Sequence, residues 1–147
     1  MKSIDDKATR DELIRRISAL DQNSKAQWGK MNVYQMTKHC TLWEEMILGR
    51  KKYRQVFIGR LFGRLALKSV LKDDSPLRHN TPTVPEFVIT DKGDVEEQKK
   101  KWIALVEEHA HTPNPGFVHP FFGKMTPEQM GIMAYKHTDH HLRQFNA

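Results

Sequence analysis

Apolar residues recur at three- and four-residue spacing in five stretches of the chain, the period of a helix with one buried face. Leu13, Ile14, Ile17 and Leu20 follow the capping-box sequence Thr9-Arg-Asp-Glu12. Its hydroxyl and carboxylate would satisfy orphan backbone N–H groups, so it predicts a short leading helix near 10–20. Asn32-Val-Tyr-Gln35 opens a second helix, expected to reach about Leu48 and stop at Gly49. A third fits residues 55–71. Asp94-Val-Glu-Glu97 caps a fourth, with Val95, Trp102, Leu105 and Val106 turned inward. Thr126-Pro127-Glu128-Gln129 caps the last, placing proline at the first helical position, where its missing N–H costs nothing.

Proline separates these elements. None occurs in residues 1–75, and all seven lie between Pro76 and Pro85 or between Pro113 and Pro127. Because proline breaks helix interiors, both patches read as loops. Thr83 to Thr90 holds Val84, Phe87, Val88 and Ile89, but Pro82 and Pro85 demote it to an extended loop or edge. The pattern predicts an all-α bundle of four long helices with a short leading helix. A long loop, residues 72–93, joins the third helix to the fourth and is either functional or packed across the bundle.

Composition narrows the class. With 147 residues, 38% of them apolar, the chain fits one domain, 1–147, with a real core. A single cysteine, Cys40, excludes an internal disulfide. No run approaches the ~18 apolar residues that span a bilayer. The N-terminal residues Met1 to Lys7 lack the apolar core of a signal peptide, so a cytoplasmic location is expected.

Eight histidines are unusual for this length. At ~100° per residue, Met36, Trp43 and Met46 lie within about 60° of His39, which places His39 in the second helix's apolar stripe. A single such residue reads by default as a core histidine bonded to a neighbour. In the last helix, His137 and His141 are i, i+4 neighbours on the face of Met130 and Ala134, with Phe145 at its margin. Two imidazoles at that spacing can share one metal. The intervening residues, Thr138, Asp139 and His140, lack the glutamate of a zinc-protease helix. His140 lies about 60° from His137 on the other side and could replace His141 by phase alone; we prefer His141 and read His140 as a supporting or surface residue. His39 with this pair offers three neutral nitrogens, a set suited to Zn, Ni, Fe or Cu that leaves coordination positions open for water and catalysis.

The remaining candidates have ordinary readings beside functional ones. His119-Pro-Phe-Phe122 is a lid or pocket wall with His119 as a proton-transfer group, or a plug in which His119 anchors the turn; the plug is preferred. His109 and His111 suit the C-terminal end of the fourth helix as capping charges, and His79 belongs to a solvated loop. Cys40 points about 100° away from His39 and reads as a small core residue. Residues 50–72 carry eight cations and no acid, a charge of +8 in a chain whose net charge is +6, so the rest is slightly acidic. Arg60, Arg64, Lys68 and Lys72 form one row, read as set opposite Phe57, Leu61, Leu65 and Leu71. That segment carries the rival hypothesis, a basic binding module for nucleic acid, anionic lipid or an acidic partner. A solvated bundle face is the plainer reading, and the row could also steer anionic substrates.

Several stretches together resemble the DinB/YfiT-like metalloenzyme superfamily, in a branch catalogued as a domain of unknown function. They are Asp6 to Leu13, Trp28-Gly-Lys-Met-Asn32, Gln35-Met-Thr-Lys-His-Cys40, His119-Pro-Phe-Phe-Gly-Lys124 and His137-Thr-Asp-His-His-Leu-Arg-Gln-Phe145. The resemblance implies a four-helix bundle with a long crossover. It also implies a divalent metal held by His39, His137 and His141. Zn or Ni is the expected ion, with Fe or Mn as alternatives. The implied activity is that of a hydrolase or of a transferase using low-molecular-weight thiols. A small-molecule substrate, anionic or a thiol, is the expected partner, with a homodimer as an open alternative; no nucleic-acid motif is present.

Overall fold

The computed structural model describes residues 1–147 as five helices and a two-residue-stranded hairpin. The helices are α1 (Lys7–Ala19), α2 (Val33–Ile47), α3 (Phe57–Val70), α4 (Val95–His109) and α5 (Pro127–Gln144). A 3-10 turn, Pro85–Phe87, interrupts the long loop, and β1 (Val118–His119) pairs antiparallel with β2 (Gly123–Lys124). The all-α expectation holds, and no helix is long and apolar enough to cross a membrane.

Local chemistry sets the helix ends. Asn32 and Gln35 form a reciprocal capping box on α2, as Thr126 and Gln129 do on α5. Asp94 accepts from the Glu97 N–H at 2.8 Å. α2 ends where expected, with Leu48 as its cap and Gly49 at φ +76°, a left-handed conformation that glycine adopts without strain. The Thr9 capping box does not form. Asp6 is the cap, accepting from the Thr9 N–H at 2.8 Å, so α1 starts at Lys7. Asp outranks Thr as an N-cap, and its carboxylate suits the positive end of the helix dipole. Glu12 instead meets Lys2 and Arg16.

α1 and α2 each pack on both α4 and α5, most extensively α2 on α4. Leu13 and Ile17 of α1, Met36 and Met46 of α2, Trp102 and Val106 of α4, and Met130 and Leu142 of α5 fill the centre. Full burial of one such side chain is worth about 1.5–3 kcal/mol. The leading helix therefore belongs to the bundle and α3 does not, which reverses the expected parts of these two helices. α3 lies against β2, inside a crossover that runs from the end of α2 to the start of α4.

The reversal has a steric cause. Gly59 and Gly63 pack onto the backbone of Phe121, where a Cβ would lie 2.4 and 2.0 Å from its carbonyl oxygen. This close glycine edge, with Leu67, is the buried side of α3. Phe57, Leu61 and Leu65 face outward, 75%, 59% and 69% exposed. Thus the cationic row does not lie opposite the apolar residues. Arg60, Arg64 and Lys68 border them, because residues three apart are neighbours on a helix.

Candidate metal centre

His39 stands at the middle of α2, and His137 and His141 stand one turn apart near the end of α5. The α2–α5 packing brings the three imidazoles together. All are buried, and one ring nitrogen from each lies within 4.8 Å of the others. The Nε2 atoms of His39 and His137 are 3.1 Å apart. Two nitrogens bound to one tetrahedral zinc at about 2.0–2.1 Å stand about 3.3 Å apart, so the donor set fits a metal ion.

Neighbouring groups orient the rings. His39 Nδ1–H donates to the carbonyl of Phe87 at 3.1 Å, which fixes the lone pair on Nε2. His141 Nδ1–H donates to Gln144 Oε1 at 2.9 Å, and Gln144 Nε2 donates in turn to the Trp28 carbonyl at 2.9 Å. Trp43 stacks on His137, with centroids 4.6 Å apart and planes 18° apart. His137 Nδ1 is buried with no hydrogen-bond partner. Without a metal the proton of His137 is therefore best placed on Nε2, shared with His39; a cation held there would require it on Nδ1.

Electrostatics keep these rings neutral. Burial lowers the His39 pKa despite the Phe87 carbonyl. Burial takes His137 and His141 well below the usual histidine range, and the neighbouring imidazoles push them further. Neutral rings present lone pairs, the form a metal binds.

α5 is held at this rotation from its other side. Asp139, one of the residues between the two histidines, is 5% exposed and binds Arg16 at 2.7 Å and Arg143 at 2.7 Å. Facing α1 in this way, its carboxylate is engaged away from the histidines.

The site opens to a cleft of about 490 Å³ lined by Trp28, Lys30, Gln35, His140 and His141, among others, and by no acidic residue. His140 is half-buried and edges against Trp28, while exposed His79 stacks on that indole at 3.7 Å. The long loop supplies one wall, and its 3-10 turn buries Phe87 and brings the Phe87 carbonyl to His39.

His119 lies outside the three-nitrogen cluster. Its Nδ1 accepts the backbone N–H groups of Phe121 and Phe122 at 3.1 and 3.2 Å, which ties down the hairpin turn. Burial lowers its pKa to about 4. Cys40 is a buried core thiol whose pKa burial raises well above the usual value. His109 departs from the capping expectation. It is buried and bonds Glu44 of α2 through Nδ1 at 2.8 Å, whereas His111 is exposed.

Two supporting groups have no counterpart in the sequence reading, Gln144 and the Phe87 carbonyl. An amide three residues after His141 in the last helical turn was a usable signal. A backbone carbonyl has none, because any residue supplies it.

Fold and site together define a helical protein whose three buried, clustered histidines could hold a metal ion. The chain belongs to the family described as "Protein of unknown function (DUF1569)", which it matches over residues 5–147. No curated protein and no solved structure matches it.

Proposed function

We propose that the protein is a metal-dependent enzyme, a hydrolase or a transferase using low-molecular-weight thiols, with one divalent ion held by His39, His137 and His141. One observation carries this reading: three neutral ring nitrogens converge within 4.8 Å, two of them with tautomers set by Phe87 and Gln144. A purely structural cluster has no need of three desolvated imidazoles with one ring nitrogen of each turned together. The arrangement is also the one that the DinB/YfiT-like resemblance implies.

When bound, the ion supplies Lewis acidity, which makes a coordinated water or thiol acidic enough to react near neutral pH. Three protein ligands leave room for a substrate. The chain's own groups do the rest. Phe87 and Gln144 hold two ligands in register, and the long loop screens the site from bulk water. A cleft free of acids, with Lys30 and the amide of Gln35 on its wall, admits a small anionic or thiol substrate. His119 keeps a lesser part as a neutral hydrogen-bond donor through Nε2–H, since its Nδ1 is engaged. Zinc or nickel suits three imidazoles best, and iron or manganese fits less well.

Elemental analysis of protein purified without a nickel column tests the site. One ion per chain, absent from His137→Ala and from His39→Ala, is the expected result. Metal-free protein that shows no thermal shift with Zn, Ni, Fe or Mn overturns it. Assays with ester, amide and thiol-acceptor substrates, before and after chelation, then separate hydrolysis from thiol transfer.

A further inference from the structure

We propose that α3 and the groove beside it form a docking surface for an anionic phospholipid membrane. α3 is the most strongly amphipathic of the five helices, yet only Gly59, Gly63 and Leu67 of it are buried. Phe57, Ile58, Leu61, Phe62 and Leu65 are each more than half exposed. This presentation is fixed by packing. The glycine edge rests on the Phe121 backbone, the Val56 N–H donates to the Pro120 carbonyl at 2.9 Å, and Arg64 Nη1 donates to the Lys124 carbonyl at 2.8 Å. Turning the apolar face inward would put side chains where only glycine fits.

Charge complementarity selects the occupant. Arg60, Arg64 and Lys68 border the apolar stripe, and residues 50–72 contain no acid. Arg50, Lys51 and Lys72 have carboxylate partners, in Glu108, Glu45 and Asp73, while Lys52, Arg54, Arg60 and Lys68 have none. Beside the stripe, a groove of about 750 Å³ gathers Arg64, Lys68, Lys72 and Lys124 at the start of α5, again with no acidic lining residue. Four clustered cations suit a phosphate group. An apolar ridge with a basic groove along one side matches the acyl boundary and headgroup layer of an anionic bilayer.

Other occupants fit less well. In a two-fold dimer through α3, two segments of like charge would meet. The ridge from Phe57 to Leu65 is only about 12 Å long, and a stable dimer needs about 800 Å² from each partner. Nucleic acid would use the cations but has no use for five exposed aliphatic and aromatic side chains.

Co-sedimentation of the full chain with vesicles tests the surface. The probes are phosphatidylcholine vesicles with and without a third of phosphatidylglycerol. Wild type should partition to the anionic vesicles, weakly or not at all to phosphatidylcholine alone, and less as salt rises. Lys68→Gln with Lys124→Gln should lower partitioning about 30-fold, at about fivefold per cation. Leu61→Ser with Leu65→Ser should lower it at least tenfold. All four side chains are exposed, and unchanged circular dichroism and thermal midpoint confirm the fold. Absence of vesicle binding, or binding that both variants retain in full, overturns the proposal. So does binding only to inorganic phosphate or to duplex DNA, or a dimer in sedimentation equilibrium that Leu61→Ser with Leu65→Ser dissolves while vesicles stay unbound. None of these outcomes depends on the histidine site.

Discussion

The Nε2 atoms of His39 and His137 face each other 3.1 Å apart, and the tautomer that Phe87 imposes on His39 turns a lone pair toward His137. One shared proton satisfies this pair, and a divalent cation satisfies it together with His141. Binding to the folded state alone stabilises by about 2.7 kcal/mol at 100 times Kd. For a chain of this length that is a rise of about 5–10 °C in Tm. Thermal unfolding with added zinc or nickel should show it, and His39→Ala or His137→Ala should abolish it. A variant that keeps the full shift places the ion elsewhere.

The same three rings set a pH dependence for protein stripped of metal. Their folded pKa values are lowered, while in the unfolded chain they titrate near 6.5. Below about pH 6.5 the unfolded state therefore binds more protons than the folded one, and stability falls as pH falls. Urea midpoints of chelated protein should drop from pH 6.5 toward 5. The drop should be shallower in His137→Gln with His141→Gln. A wild-type midpoint that stays level or rises over this range contradicts the assignment of buried neutral rings.

Gln144 should matter to the site without being part of it. Its Oε1 takes the His141 Nδ1–H at 2.9 Å and so directs the lone pair of His141. Removing a partner of this kind lowers metal affinity about 10–100-fold. Competition against a chelating dye should show that loss in Gln144→Leu, with Gln144→Glu, which keeps the acceptor for His141 but loses the donor to the Trp28 carbonyl, losing less. Equal affinity in all three proteins would mean that the bond does not orient the ring.

The chain's own pattern carried much of this arrangement. His39, His137 and His141 can be grouped from helical phase because all three ride on long, well-capped helices, where 3.6 residues per turn holds from end to end. The caps at Asn32, Asp94 and Thr126 were equally readable, since a cap is a local bond between residues three apart. What escaped was decided between elements. That α3 stands outside the bundle depends on two glycines meeting the Phe121 carbonyl, a contact some sixty residues away in sequence. An amphipathic pattern reports that a face is apolar; it is silent on whether another element covers it. His109 was misread for a related reason, because its position at a helix end suggested the dipole while its partner, Glu44, comes from another helix.

The glycine edge gives a prediction whose sign is diagnostic. By helix propensity alone, Gly63→Ala would stabilise α3 by about 1 kcal/mol. A Cβ there would sit 2.0 Å from the Phe121 carbonyl oxygen, a backbone atom that cannot swing aside. Gly63→Ala should therefore loosen α3, with faster amide exchange and faster protease cleavage near residues 57–70. Metal binding should survive, because α3 supplies no ligand. Unchanged or slower exchange would show that the helix is not held by this contact.

His109 and Glu44 form the buried charged pair of the α2–α4 interface, at 2.8 Å with side chains 6% and 1% exposed. Burial acts to lower the His109 pKa, and the Glu44 carboxylate outweighs it, so the ring stays charged above its usual range. A raised folded pKa fixes the sign. The stabilisation is complete below about pH 6.5, where the ring is also charged in the unfolded chain, and it is lost as pH rises through the folded value. Removing one partner leaves the other charge buried alone, at about 3–5 kcal/mol. His109→Ala should lower the urea midpoint accordingly. His109→Gln with Glu44→Gln, which can hydrogen-bond without charge, should recover much of the loss. Between pH 6.5 and 9 the wild-type midpoint should decline and that of the double variant should not. Parallel profiles for the two proteins would show that His109 is neutral in the fold. In that case Glu44, not the ion pair, would be the group to explain at the centre of the interface.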